Sequence, residues 1–111
     1  DTVLGLQRMA GKTSLYLAML RRFVAGQATV PQQIRTALAA GDMATAERLA
    51  HTTKGVAANL GATQVQDRAA ALEHALRVAQ APHEIAAHLA TLETTLGALL
   101  AALAAQLPTE A

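Results

Sequence analysis

His51, Lys54 and Gly55 fall within about one helical turn, in the stretch H-T-T-K-G-V-A-A-N-L-G-A from His51 to Ala62. Each residue type suits one step of a phosphoryl transfer through a phosphohistidine. A neutral imidazole is a nitrogen nucleophile near neutral pH. A lysine three residues along a helix reaches an anion held on that ring and offsets its charge. The glycine is the more telling residue. In a helix interior it costs roughly 1 kcal/mol relative to alanine, and this chain uses alanine freely elsewhere. A missing side chain beside the histidine lets another protein bring its own reacting carboxylate close enough for in-line attack.

A helix must present these residues, and the flanking sequence supplies one. Advancing roughly 100° per residue, Ala46, Leu49, Ala50, Thr53, Val56, Ala57 and Leu60 share one side, which faces a core. His51 and Gly55 fall nearly opposite, with Lys54 on the flank. Ala44, Ala58 and Ala62 share the exposed side and make the surface around His51 small and smooth. Arg48, one turn earlier, either meets an acidic partner or is an ordinary surface charge. Asp42 is the expected N-cap of this helix, Gly41 the end of the one before, and Gly61 its stop.

The remaining elements are read from caps and periodicity. A short helix over Val3–Met9 ends at Gly11. A second, over Thr13–Ala25, puts Leu15, Met19, Leu20 and Phe23 on one stripe and closes at Gly26. Thr29 with Gln32 fits a capping box, and Pro31 supports a helix start there. Thr63 with Gln66 fits another, opening a helix whose Val65, Ala69, Leu72, Leu76 and Ala79 form the buried rhythm. Pro82 opens a last helix, with Leu89, Leu92, Leu96, Leu99 and Leu103 in step until Pro108. The expected architecture is all-α, an antiparallel four-helix bundle with short additional N-terminal helices, in one domain over residues 1–111.

Composition agrees and narrows the function. Apolar residues make up 52% of the 111 and aromatics 2%, so the core is aliphatic and strands are disfavoured. A net charge of +1 argues against a nucleic-acid partner. Without cysteine there is no disulfide, thiolate metal site or thiol nucleophile. His74, His83 and His88 lack ligand spacing, so no metal is expected. Gly11-Lys12-Thr13 imitates the end of a phosphate-binding loop, but Leu6 stands where that motif needs glycine. The apolar run Thr94–Leu107, about 14 residues, is short of the roughly 20 that span a bilayer, so no membrane contact is expected. No secretory signal is visible, and the first residue is not methionine, which suggests a piece of a longer polypeptide.

The stretch from His51 resembles the hallmark of the histidine-containing phosphotransfer (HPt) domains of multistep bacterial phosphorelays, H-x-L-K-G followed by small residues and G-A. His51, Lys54, Gly55, Gly61 and Ala62 occupy the matching positions. The likeness extends over about Gly5 to Leu76, through G-L-Q-R-M, L-Y-L-A-M-L-R-R-F, A-L-A-A-G-D and A-E-R-L-A-H to A-A-L-E from Ala70. One departure is Thr53, where the family usually has leucine. It falls on the core side and bears on packing rather than chemistry.

The resemblance implies a phosphocarrier, not an enzyme in its own right, that shuttles a phosphoryl group between receiver-domain aspartates through His51 Nε2. Lys54 becomes the charge-stabilising neighbour. Glu73 is either the group that orients the imidazole through Nδ1–H or a solvated charge. No cofactor is expected in the domain itself, with Mg²⁺ and the aspartate supplied by the response-regulator receiver. The setting implied is cytoplasmic, as a monomeric module of a hybrid sensor kinase whose own kinase domain is a further partner. Two alternatives stand beside this: the phosphate-accepting domain of a chemotaxis-type kinase, fed by an ATP-binding domain, and a helical interaction module in which His51 is inert.

Overall fold

The computed structural model describes the backbone of residues 13–106 and the side chains of residues 17–106. The expected helix over Val3–Met9, Gly11, Lys12, the Leu15 side chain and Pro108 lie outside them. Five helices follow in order: α1 (Thr13–Ala28), α2 (Val30–Ala39), α3 (Met43–Leu60), α4 (Thr63–Arg77) and α5 (Pro82–Gln106). All regular structure among the described residues is helical. α4 packs against α3 and α5, α2 against α3, and α1 against α5.

The ends of α3 follow the sequence. Asp42 caps its start, accepting from the Thr45 backbone N–H at 3.1 Å and from the Thr45 hydroxyl at 2.6 Å, which satisfies donors that the first turn leaves over. Gly61 closes it at φ 71°, a left-handed position open to glycine without strain. The two expected capping boxes are absent. α1 runs through Gly26 to Ala28, and Thr29 keeps nearly helical angles (φ −97°, ψ −5°) with no capping hydrogen bond. Gln33, not Gln32, turns back and donates to the Thr29 hydroxyl at 2.8 Å. At α4 the N-cap is Ala62, which has no group to cap with, so Thr63 is already the first helical residue.

The core joins every helix. Ile34, Leu72, Leu92 and Leu96 are its largest fully buried apolar side chains, with Val65 beside them. α3 contributes a narrow seam of Ala46, Ala50, Thr53 and Ala57, while Leu49, Val56 and Leu60 pack half-buried on its flanks. Small seam residues let α3 lie close against its neighbours, which fixes where its outer face points. Thr53 is buried and donates to Gln27 Oε1 at 2.7 Å, so the polar departure in the seam is answered by a buried amide from α1. Two stripe residues are misplaced by periodicity. Met19 is exposed, and Ala79 lies beyond α4, exposed at φ 53°.

α5 is longer than its leucine-rich tail suggests. Over 25 residues it is long and apolar enough, by length and composition alone, to cross a membrane, so the fourteen-residue limit read from the sequence is too short. Ile85, Leu89, Leu92 and Leu96 face the core. Leu99 and Leu103 continue the stripe half-buried. On the outer side Glu93 pairs with Arg35 of α2.

Candidate functional site

α3 carries His51, Lys54 and Gly55 outward, and α4 delivers Glu73 to meet them. The His51 side chain is 65% exposed, and its Nδ1 lies 2.6 Å from Glu73 Oε2. Glu73 itself is only 4% exposed. Lys54 Nζ lies 2.6 Å from the other carboxylate oxygen, Oε1. Arg77, one turn further along α4, donates to Oε2 at 2.9 Å, and its Nε lies 3.9 Å from Glu47 Oε2 on α3. One carboxylate therefore takes three donors from two helices.

The electrostatics of Glu73 set which ring nitrogen is engaged and which is left free. Burial pushes its pKa up, but hydrogen bonds from Lys54 and His51, with the charges behind them, outweigh this and hold it below the ordinary glutamate range. An ionised carboxylate only accepts hydrogen bonds. The hydrogen between it and His51 therefore sits on Nδ1, which leaves Nε2 as the nitrogen that carries the lone pair in the ring's neutral form. That nitrogen has no partner among the described residues. The imidazole is held by its inner nitrogen and presents the outer one.

Gly55 is exposed one turn from His51, and a Cβ built on it meets nothing within 4 Å. The same open space surrounds Gly26 and Gly97. Emptiness alone therefore does not mark a site; the place beside the imidazole does. Arg48, Ala44 and Ala58 are exposed on α3. Ala62 is not part of that surface: it sits at the start of α4, half-buried against the core, because Gly61 has already turned the chain. His74 and His83 are exposed, and no group of His, Asp and Glu able to hold a metal occurs among the described residues.

A family model for the Hpt domain matches residues 18–107. The chain belongs to the Hpt-domain family. Hpt domains are phosphotransfer modules of phosphorelays in two-component signalling, generally without enzymatic activity of their own, and they interact with receiver domains of response regulators. The matched span of this Hpt domain includes His51, Lys54, Gly55, Glu73 and Arg77. Neither the curated proteins nor the solved structures gave a match.

Sequence reasoning on the Hpt domain reached the first four of those residues and missed Arg77, Glu47 and Gln27. Arg77 was within reach, since it stands four residues after Glu73 and such pairs meet on a helix. Gln27 carried no comparable signal, because its partner is 26 residues away.

Proposed function

We propose that His51 takes a phosphoryl group from the aspartyl phosphate of one receiver domain and passes it reversibly to the aspartate of another. The observation that carries this reading is an exposed imidazole whose Nδ1 is tied to a buried, ionised glutamate. In the transfer, the Nε2 lone pair forms the N–P bond while the P–O bond to aspartate breaks, and the aspartate leaves as carboxylate with the electron pair. Nδ1 keeps its proton, so positive charge develops on the ring, and Glu73 stabilises it. Lys54 offsets the charge on the phosphoryl oxygens. Gly55 leaves room for the receiver, with Ala44 and Ala58 as smooth contact surface and Arg48 as a charge toward its acidic pocket. Mg²⁺ belongs to the receiver's side of the complex.

The wider setting is proposed beside it: a cytoplasmic, monomeric module of a hybrid sensor kinase that makes no contact with nucleic acid. Short connections and packing between neighbouring helices support an antiparallel four-helix arrangement. Incubation of the purified protein with a phosphorylated receiver, and separately with a kinase domain and ATP, tests the reading. An acid-labile label on His51 from the receiver is expected, lost in His51→Gln with an unchanged helical circular dichroism spectrum. Label from kinase and ATP alone would move the protein to the chemotaxis-type class. No label from either donor would leave an inert interaction bundle.

A further inference from the structure

Arg77 enters neither the sequence motif nor the reaction as written, yet it shares Glu73 Oε2 with the imidazole. His51 Nδ1 stands 2.6 Å and Arg77 Nη2 2.9 Å from that one atom, while Lys54 holds Oε1. Lys54 is thus already occupied before any phosphoryl group arrives. An ammonium has three donors, but turning them toward phosphoryl oxygens on Nε2 loosens its hold on Glu73. A carboxylate with 4% of its side chain exposed is costly to leave without a counter-charge. Arg77 is the cation that can remain. Its guanidinium reaches Glu73 at one edge and approaches Glu47 at another, 3.9 Å away, so it is braced between α4 and α3 independently of Lys54.

We propose that Arg77 is a positioning residue for phosphotransfer: it keeps Glu73 compensated and aimed at Nδ1 while Lys54 moves from Oε1 to the phosphoryl group on Nε2. The exchange uncovers one carboxylate oxygen as positive charge appears on the ring. Negative charge is thereby concentrated toward the imidazole at the moment it is needed. Without Arg77, Lys54 is the sole cation on a buried carboxylate and is held there. This inference rests on the relay reading for its kinetic consequence, but the hold of Arg77 on the Lys54–Glu73 pair is a property of the unphosphorylated protein.

Two measurements separate the two. In the unphosphorylated chain, NMR relaxation of the Lys54 ammonium reports its mobility. Arg77→Met is expected to make Lys54 more rigid; unchanged or greater mobility overturns the proposal whether or not the relay reading stands. In transfer from a phosphorylated receiver, Arg77→Met should slow the phosphoryl step about fivefold at saturating receiver, roughly 1 kcal/mol of barrier, with little change in half-saturation. Arg77→Lys should recover most of the rate by keeping the charge. In a Lys54→Ala background the same Arg77→Met change should cost less than about twofold, because contacting residues couple in a double-mutant cycle. Full additivity of the two losses, or a loss confined to half-saturation, would assign Arg77 to fold or docking. A wild-type chain that takes no label would instead remove the relay reading and leave the ammonium measurement to decide Arg77.

Discussion

Gly55 separates a requirement of the fold from a requirement of the partner. A side chain there would meet nothing within 4 Å, so the fold does not need the glycine, and the helix is weaker for having it. Gly55→Ala should therefore stabilise the protein by roughly 0.5–1 kcal/mol, read as a higher urea midpoint. Gly55→Leu should match or exceed wild-type stability too, yet slow transfer from a receiver by about tenfold or more, since small displacements of reacting atoms are penalised heavily. Stability and transfer falling together would show that the position serves packing. The neighbouring chemistry was legible for a related reason. His51, Lys54 and Gly55 lie on one helix, where spacing alone decides proximity. Glu73 became a candidate through family resemblance, and only the packing of α4 on α3 brings its carboxylate to the ring.

At the scale of elements, three helices end in the same way with different residues. α2, α3 and α4 each close with paired backbone hydrogen bonds around a left-handed residue: Asp42 N–H to Ala37 O and Gly41 N–H to Leu38 O; Ala62 N–H to Ala57 O and Gly61 N–H to Ala58 O; Gln80 N–H to Ala75 O and Ala79 N–H to Leu76 O. The left-handed position is glycine at 41 and 61, but alanine at 79, with φ 53°. A Cβ in that region costs about 1 kcal/mol, so Ala79→Gly should raise stability by up to about 1 kcal/mol despite the larger chain entropy of glycine. A lower melting temperature in thermal unfolding would contradict this. Gly41, Asp42 and Gly61 announced their helix ends in the sequence because glycine and aspartate favour those places, although Gly26, expected to close α1, lies inside it. Ala79 gave no such signal, and its fit to the helical rhythm carried the expected stripe one turn too far. Thr29 and Thr63 mislead in the opposite sense. Both are good capping residues, but α1 continues nearly unbroken into α2 and the α3–α4 turn spends Ala62 at the cap, so neither hydroxyl is offered an N-terminus to cap.

Across the whole molecule, one carboxylate couples the site to the stability of the bundle. Glu73 is buried on the core helix α4 and tied to α3 through His51 and Lys54. Its pKa in the fold is depressed below the value of an unfolded glutamate. A depressed acid stabilises the folded state fully above its unfolded pKa, and that contribution is lost as pH falls through the folded value. The loss therefore begins below about pH 4.5 and is absent near neutrality, where the site operates. Glu73→Gln keeps the size of the side chain but removes the charge-assisted hydrogen bonds, which are worth roughly 1.5–3 kcal/mol each before solvation of the freed cations offsets part of it. Urea unfolding at neutral pH should show the variant about 2 kcal/mol less stable, and the gap should narrow on acidification as wild-type Glu73 takes up its proton. Asp42 and Glu93 also have depressed pKa values, but on exposed side chains, and both remain in the variant, so their acid response cancels in the comparison. A gap that stayed constant down to strongly acid pH would mean that Glu73 supports the bundle by shape rather than by charge, and the same charge could not then be holding the Nδ1 proton in place.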